Sequence, residues 1–590
     1  MRKPRQLGLA AFAAVAALVL AACGSGGGGS STSSSSSGAT TSTSYGAANT
    51  SVVNPSAKKG GTLTFGISNT PDSTDPGNTY YAFMWNFTRL YGESLVTYKS
   101  CPGACGNTIV PGLATSLGQV GDKGLTWTYH LRSGVKFSDG TPVTSQDVKY
   151  AVERTYAKSV LPNGPSYFQV LLTDPKYPGP YKDKTKDKMG LTSVTTPDAT
   201  TIVFHLAKPF SDFNYVVAIP QTDPVPPSKD TGANYQLNPV STGPYKFQSY
   251  QLNKTLTLVP NTNWNPADDT EAKQLASKIV VSMNVNANDI DNRLMANDLD
   301  IDLAGTGVQA AARAKILASP SLKQSSDDAL SGFLWFYYLN TKVKPLNNLA
   351  CRQAVEYAAN KVNLQTAFGG PIAGGDIGST VMPPNILGYQ KFDLYEATTK
   401  PTGDVAKAKA ALKTCGQPNG FSTNVAYRSD RPKEVAAAQA LQQALSQVGI
   451  KVTLQGYLSG KYYTNFAGDP TYVHGHNLGI SAGGWAADWP DGYGFLDEIA
   501  NGNAIAPAGN TNIEELNDPA VNALFAKAAN TSSVTAKNAI WAQIDHDMMS
   551  QATILPIVYA KSLLYRNPNV TNVYVDSYYG MYNYAVLGVK

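Results

Sequence analysis

The sequence lacks the features that mark most enzyme classes and integral membrane proteins. It contains no phosphate-binding loop, no H-E-x-x-H zinc motif and no dinucleotide fingerprint, and its five histidines are scattered. After residue 22, no apolar stretch approaches the ~20 residues that a membrane-spanning helix needs. The 47 basic residues nearly balance 42 acidic ones and form no basic cluster, which argues against a nucleic-acid partner. The sequence therefore predicts neither an enzyme nor a cofactor.

Cysteine is also scarce, with five residues in 590. Four of them lie beyond residue 100, and an even number suggests two disulfides in an oxidising compartment. Cys101 and Cys105 are the nearest pair in sequence, which leaves Cys351 for Cys415. These spacings do not match a zinc ribbon, so disulfides are favoured over a metal site.

The N-terminus has the pattern of an export signal. Arg2, Lys3 and Arg5 precede an uncharged apolar run, Leu7 to Ala22, which is too short to span a bilayer. Residues 1–22 are therefore predicted to be a signal peptide. The sequence Leu-Ala-Ala-Cys that ends at Cys23 resembles a bacterial lipobox, in which the cysteine becomes the lipidated first residue. The alternative is an ordinary signal peptide with a chance cysteine after it.

The segment from Cys23 to residue 57 is dominated by Gly, Ser and Thr. It contains almost no apolar side chains and is predicted to be a disordered linker. A coil of this length spans on the order of 30 Å. Together with a lipidated Cys23, it predicts a folded domain anchored to the outer face of the cytoplasmic membrane.

The remaining ~530 residues are too many for one core, so we expect two or more lobes. Leu125 to Arg132 alternates apolar and polar residues as a half-buried strand does, and Thr144 with Asp147 predicts a capping box at the helix that follows. Residues 403–456 read as helix, strand, helix and strand with short links. The pattern predicts an α/β protein with mixed sheets flanked by helices.

Two motifs that suggest chemistry are weak. Residues 479–483 match the G-x-S-x-G pattern of a serine hydrolase, but a Gly- and Pro-rich loop follows Ser481 where that nucleophile needs a helix. His474 and His476 lie in a Gly-rich stretch without a nearby cysteine, which gives little support for a metal site. A secreted hydrolase that uses Ser481 stays a distant alternative.

Residues 483–499, GGWAADWPDGYGFLDEI, form the most distinctive stretch. Trp485 and Trp489 lie beside Asp488 and Asp491 in a segment rich in turn residues. Aromatic rings next to carboxylates suit an amine-bearing or amphipathic ligand. The alternative is that the tryptophans anchor a loop whose acids face water.

Several segments in order along the chain resemble the solute-binding proteins of peptide-type ABC importers. They include GGTLTFGI and DSTDPG near residues 60–77, residues 111–154, STGPYKFQSY, LNTKVKPLNNLACRQAVEYAANK, GWAADWPDGYGFL and LPIVY. The resemblance implies a two-lobe, periplasmic-binding-protein-like fold with an extra β-rich subdomain. It places lobe 1 at residues 58–335, the subdomain at about 85–235, lobe 2 at 336–562 and a return to lobe 1 at 563–590.

The resemblance also implies a function and a site. Such proteins close on a peptide by hinge motion and present it to an ABC permease. Asp488 matches the aspartate that pairs with the α-ammonium group of the peptide. Neighbouring contacts are implied for Trp485, Ala486, Ala487, Trp489 and Tyr337. A monomer is expected.

The chain departs from the family pattern at two places. Ser138 replaces a usual histidine, and residues 479–484 lack the arginine that some oligopeptide binders carry before the tryptophan. The carboxylate end of a peptide therefore cannot be assigned. Because the family includes binders of oligosaccharides and metal complexes, those ligands stay open as alternatives.

Overall fold

The computed structural model describes residues 44–507 and 509–590. The strands, numbered in chain order, are β1 (Thr62–Gly66), β2 (Val96–Tyr98), β3 (Ile109–Pro111), β4 (Gln119–Gly121), β5 (Thr126–His130), β6 (Val194–Asp198), β7 (Thr201–His205), β8 (Tyr245–Gln251), β9 (Thr255–Pro260), β10 (Lys278–Ser282), β11 (Ile301–Asp302), β12 (Ser326–Leu339), β13 (Gly375–Ile377), β14 (Ser422–Arg428), β15 (Lys451–Tyr457), β16 (Ile480–Ala486), β17 (Ile554–Tyr565), β18 (Val570–Thr571), β19 (Val575–Asp576), β20 (Met581–Tyr582) and β21 (Gly588–Val589).

The α-helices are interspersed with these strands. They are α1 (Ala82–Thr88), α2 (Ser145–Thr155), α3 (Tyr167–Leu171), α4 (Phe213–Val217), α5 (Ala287–Ala296), α6 (Ala310–Ala318), α7 (Pro320–Lys323), α8 (Leu349–Ala358), α9 (Lys361–Phe368), α10 (Gly370–Ala373), α11 (Val405–Thr414), α12 (Pro432–Ser446), α13 (Ser459–Lys461), α14 (Pro470–Gly475), α15 (Gly492–Ala500), α16 (Pro519–Ala529) and α17 (Val534–Ser550). In the described part of the chain, no helix is both long and apolar enough to cross a membrane.

The first lobe is built on a mixed five-stranded sheet in the order β11-β1-β10-β9-β8. Strand β1 is parallel to β10 and β11, and β9 is antiparallel to its two neighbours. Buried Phe65 of β1 contacts the rings of Phe87 and Tyr584, so the end of the chain packs into this core.

The second lobe is built on a mixed six-stranded sheet in the order β13-β17-β12-β16-β14-β15. Strands β14 and β15 are parallel and joined through α12, which confirms the predicted strand–helix–strand unit. Two apolar clusters cover this sheet, one around Trp541 of α17 and one around Cys351 of α8.

A four-stranded antiparallel sheet, β4-β5-β7-β6, lies within the predicted extra subdomain. Trp127 and Tyr129 point into its core while the alternate residues of β5 are more exposed, as the alternation predicts. Helix α2 packs on this sheet, and Asp147 accepts hydrogen bonds from the backbone N–H (2.8 Å) and hydroxyl (2.7 Å) of Thr144. The predicted cap is therefore present.

Two long strands run from one lobe to the other. In β12, Ala329 belongs to the first-lobe core and Leu334 to the second-lobe core. Its antiparallel partner β17 likewise runs from Leu564 in the first core to Ile554 in the second. Their pairing is interrupted between Leu330 and Leu334, where Gly332 has a φ of +73°. The predicted lobe boundary at residues 335/336 falls inside β12, and the division of the chain into lobes stays a prediction.

The folded part begins earlier than the predicted linker boundary at residue 57. Ala47 and Ala48 are buried, and the backbone N–H of Ala48 donates to Asp327 Oδ1 at 2.9 Å. Val53 pairs with Val573 in a short antiparallel bridge. The prediction of disorder is thus wrong for residues 44–57, because their few apolar side chains find partners far away in sequence. The signal peptide, the lipidated Cys23 and the Gly/Ser-rich segment to residue 43 lie outside the described residues.

Both predicted disulfides are present. Cys101 is bonded to Cys105, and Cys351 is bonded to Cys415. The first closes a loop with a sequence separation of 4, and the second closes one with a separation of 64 by tying α8 to the residue after α11. Closing a longer loop removes more conformational entropy from the unfolded chain.

We expect the two disulfides to contribute unequally to stability. In the chain-entropy model, the Cys351–Cys415 loop is worth about 4 kcal/mol and the Cys101–Cys105 loop about 2 kcal/mol. Denaturant unfolding of the double variant C351A/C415A should show the larger loss of unfolding free energy, with C101A/C105A as the matched control. A larger loss in C101A/C105A would contradict this reasoning.

Candidate functional site

The candidate site lies in the turn between β16 and α15. Gly483 and Gly484 at the end of β16 let the backbone pass the rings of Tyr338 and Phe333, since a Cβ at either glycine would come within 2.4 Å of a ring carbon. The turn ends at Asp491, which caps α15 by accepting from the Gly494 N–H at 3.0 Å. Asp488 is held between these two fixed points.

The carboxylate of Asp488 is bound by hydroxyl groups from the first lobe. Tyr80 donates to its Oδ2 at 2.8 Å, and Tyr167 donates to the same oxygen. Tyr578 donates to the backbone carbonyl of Asp488 at 2.8 Å. Tyr80 follows the Asp-Pro turn, Tyr167 begins α3 and Tyr578 lies in the C-terminal segment, so three separate parts of the chain meet at one second-lobe residue.

Burial raises the pKa of Asp488 above its ordinary value, and the hydrogen bonds from Tyr167 and Tyr80 partly oppose that rise. Among the described residues, no basic side chain comes within 4 Å of this carboxylate. Asp488 is half-buried and therefore still reachable by a ligand. The site is a partly desolvated carboxylate whose protein partners are all neutral.

Aromatic rings pack against the residues that neighbour Asp488. Trp489 is fully buried, and its ring makes an edge contact with Tyr167 at 5.1 Å between centroids. The Trp489 ring also lies parallel to the rings of Tyr215, at 6.4 Å, and of Tyr493, at 6.0 Å between centroids. Tyr80 stacks on Trp85 at 5.7 Å and keeps 45% of its surface exposed.

The structure brings some of the predicted site residues together and separates one of them. Trp485, Ala486 and Ala487 lie next to Asp488 and are partly exposed, and the Trp485 Nε1 is buried without a hydrogen-bond partner among the residues that the structure describes. Tyr337 lies in the second-lobe cluster that contains Cys351, and its side chain is completely buried. As placed, Tyr337 offers no surface to a ligand, and the ligand contacts of all these residues stay predictions.

Sequence reasoning missed the three tyrosines that hold Asp488. The chain contains 33 tyrosines, so composition could not single out any of them. Only the position of Tyr80, shortly after the DSTDPG turn, offered a signal. The contacts join residues that are more than 300 positions apart for Tyr80 and Tyr167, and no local pattern predicts such pairs.

A second polar cluster joins the lobes beyond Trp489. Lys537 of α17 forms an ion pair with Asp212, just before α4, and both side chains are almost fully buried. The carboxyl group of Asp491 is hydrogen-bonded to that of Asp212. Burial, followed by the charge of Asp212, raises the pKa of Asp491 well above its ordinary value. Asp212 thus lies between the ammonium group of Lys537 and the carboxyl group of Asp491.

The weak motifs occupy structural positions. Ser481 lies inside β16, its buried Oγ has no hydrogen-bond partner in the described part of the chain, and α15 begins only at Gly492. His474 Nε2 pairs with Glu515 at 2.7 Å, and the His476 ring stacks on Tyr472 at 3.7 Å. Within residues 44–507 and 509–590, no group of three or more His, Cys, Asp or Glu side chains is arranged to hold a metal ion.

Comparison with known proteins places this geometry in context. Residues 108–506 match the family described as "Bacterial extracellular solute-binding proteins, family 5 Middle". The probable D,D-dipeptide-binding periplasmic protein DdpA of Escherichia coli K12 is 26% identical over 74% of this chain and 76% of its own length. The glutathione-binding protein GsiB of Escherichia coli is 26% identical over 77% of this chain and 82% of its own length.

Solved structures give the same answer for the fold. "Clavulanic acid biosynthesis oligopeptide binding protein 2" aligns with a TM-score of 0.88 and 39% identity, covering 93% of this chain and 99% of that one. The open form of the murein tripeptide-binding protein MppA aligns with a TM-score of 0.73 and 21% identity, covering 91% and 99%. The α/β, two-lobe periplasmic-binding-protein-like fold is thereby confirmed, and the chain belongs to the bacterial extracellular solute-binding proteins of family 5, whose members here are binding proteins of peptide-type ABC importers.

Proposed function

We propose that this chain is a lipid-anchored, extracytoplasmic protein that captures an oligopeptide between its two lobes and delivers it to an ABC permease, without catalysing a reaction. The observation that carries the proposal is Asp488, a half-buried carboxylate between the lobes whose partners are neutral hydroxyl groups. The relatives whose names include a dipeptide or an oligopeptide support the peptide class.

The carboxylate is suited to hold an ammonium group. An ionised carboxylate accepts about four hydrogen bonds, and the two tyrosine hydroxyls use part of that capacity on Oδ2 alone. The hydroxyls orient the carboxylate but bring no charge. An α-ammonium group from a peptide would therefore be its first cationic partner, and the charge-assisted hydrogen bond would be stronger than those it already accepts.

Closure of the lobes follows from the same contacts. Tyr80 and Tyr167 reach Asp488 from the first lobe, so the carboxylate is complete only when the lobes are together. A ligand that pairs with the assembled site stabilises the closed arrangement by its preference for that state. The remainder of a peptide would be held through its backbone, which allows many side chains.

The anchor would act through Cys23 and the segment that follows it. Acyl chains at ~0.8 kcal/mol per buried methylene would hold the protein on the membrane. The Gly/Ser-rich linker would keep the loaded protein near its permease at high effective concentration while letting it turn.

We expect D488N to weaken the binding of a free-amine tripeptide by at least ~30-fold, or about 2 kcal/mol. This is the lower end of the cost of removing one partner of a buried charge pair, because Asp488 is only half-buried. Isothermal titration calorimetry of trialanine against wild type and D488N measures this. D497N is the matched control, since Asp497 lies in the following helix α15 and bonds to Asn501. N-acetyl-trialanine should bind wild type as weakly as trialanine binds D488N. Equal affinities for trialanine in wild type and D488N would refute amine capture.

We also expect the affinity for a free-amine peptide to fall as the pH is lowered from neutral through the raised pKa of Asp488. The pKa of Asp488 is raised, so its ionised form, which pairs with the ammonium group, is lost as the pH falls through that raised value. The affinity of D488N should be nearly independent of pH over this range. Y80F and Y167F remove donors that lower the pKa, so the decline should begin at a higher pH. Y578F, whose hydroxyl bonds only to the Asp488 carbonyl, is the control.

The alternative ligands give different results in the same assays. An oligosaccharide carries no amine, but its hydroxyl groups can donate to Asp488, so a sugar ligand is recognised by binding where trialanine does not bind, whatever the effect of D488N. A metal complex would leave a metal signal in the purified protein. Either result would leave the proposed importer role unchanged but would replace the peptide as the proposed ligand.

A further inference from the structure

Tyr80, one of the two donors to the Asp488 carboxylate, lies at the exposed end of a buried turn. Residues 73–79 of this turn are all buried, whereas Tyr80 keeps 45% of its surface exposed. Its ring stacks on Trp85 at 5.7 Å between centroids, and its hydroxyl reaches Asp488 Oδ2 at 2.8 Å. Packing alone does not hold a side chain with this much free surface, so the direction of the hydroxyl depends on how the Tyr80 backbone is held.

A second carboxylate, that of Asp72, binds the backbone at Tyr80. The Tyr80 N–H donates to Asp72 Oδ2 at 2.8 Å, and the Thr79 hydroxyl donates to Oδ1 at 2.7 Å. The Ser73 N–H also donates to Oδ1, at 2.9 Å. In the described part of the chain, the Tyr80 N–H donates to no backbone carbonyl. Asp72 is therefore the group that ties the exposed end of the turn to its start.

The contacts of Asp72 reach further than those of an ordinary turn aspartate. Such a residue usually binds the backbone N–H groups of the next few residues. Asp198, in the turn between β6 and β7, is an example, because its carboxylate accepts from the N–H groups of Thr200 and Thr201 at 2.8 and 2.9 Å. Asp72 binds the N–H eight residues ahead, at the residue whose hydroxyl donates to Asp488.

The body of the turn is held by other contacts. Asp75 accepts two hydrogen bonds from Arg154 of α2, at 3.0 and 2.7 Å, and both side chains are almost fully buried. Asn78 Oδ1 accepts from the N–H of Asn163, in the loop before α3, at 2.9 Å. Removing the Asp72 side chain therefore frees the exposed end of the turn, while these contacts hold the rest of it.

We propose that Asp72 is a positioning residue of the candidate site: its carboxylate holds the backbone of Tyr80 so that the tyrosine hydroxyl meets Asp488. The inference rests on the proposed function, because it concerns ligand binding at Asp488. The contacts from Asp72 through Tyr80 to Asp488 do not themselves depend on the class of ligand. Such support matters because a donor displaced by about 1 Å no longer makes a good hydrogen bond.

We expect D72A, in the purified full-length protein, to change ligand binding as Y80F does. The hydrogen bond from Tyr80 lowers the pKa of Asp488, so losing it lets that pKa rise. The affinity for trialanine should then begin to decline at a higher pH than in wild type. Above the pH of this decline, the lost hydrogen bond should weaken binding by about 2- to 10-fold. D198A removes an ordinary turn aspartate and is the matched control, which should keep the wild-type pH profile.

The double variant D72A/Y80F separates positioning from a general loss of stability. If Asp72 acts through Tyr80, adding D72A to Y80F changes the affinity by less than ~2-fold, because the hydroxyl that Asp72 positions is already absent. Full additivity of the two losses, or a D72A profile equal to that of wild type, overturns the proposal. If D72A does not fold, D72N replaces it, since its amide keeps the volume and loses one acceptor oxygen. Among the described residues, every variant retains three other titratable groups that face Asp488: Tyr167, Tyr578 and Glu498.

A measurement without a peptide tests the same contact directly. A fluorotyrosine placed at position 80 gives a fluorine NMR signal that reports the surroundings of the ring. D488N should shift this signal, because it changes the acceptor of the hydroxyl. In the D72A background, D488N should leave the signal unchanged, since the hydroxyl no longer meets residue 488. An equal shift in both backgrounds contradicts the positioning role.

Failure of the proposed function gives a different pattern. If D488N leaves the affinity for trialanine unchanged while D72A abolishes the response of the fluorine signal to D488N, amine capture is wrong and the positioning role of Asp72 stands. If D488N weakens trialanine binding while D72A alters neither the pH profile nor the fluorine response, amine capture stands and the positioning role is wrong.

Discussion

The structure depends most on a carboxylate that is partly removed from water and given only neutral partners. Asp488 accepts hydroxyl groups from Tyr80 and Tyr167, and burial raises its pKa. Desolvating an ionised group costs free energy unless a partner of opposite charge replaces the lost water. In the proposed function, an ammonium group of the ligand supplies that missing partner. The proposed preference for amines rests on this one charge pair.

The fold holds Asp488 in place between the two lobes. Strands β12 and β17 pass from one core to the other, and their pairing is interrupted at Gly332, so each lobe keeps its own core while the two share one connection. The turn that carries Asp488 is fixed by the glycines of β16 on one side and the cap at Asp491 on the other. A carboxylate held this firmly in one lobe can be completed by donors from the other without rearranging either core.

The sequence predicted local features well and distant contacts poorly. The alternation at Trp127 and Tyr129, the cap at Thr144 and the strand–helix–strand unit around α12 depend on neighbouring residues, and the structure confirms them. The family motif located Asp488 but could not reveal Tyr167, because their contact spans 321 positions. For the same reason the linker was predicted too long: Ala48 looks like part of a polar coil until Asp327 is placed beside it. Tyr337, which the resemblance implied as a ligand contact, is completely buried, and its ligand contact stays a prediction.

The central claim is that the closed lobes hold a molecule through its amine, with tolerance for its side chains. Native mass spectrometry of the purified protein, followed by release and identification of whatever stays bound, tests this claim most directly. The account predicts a spread of masses that match short peptides with free N-termini. A single sugar, a metal complex or a molecule without an amine would contradict it.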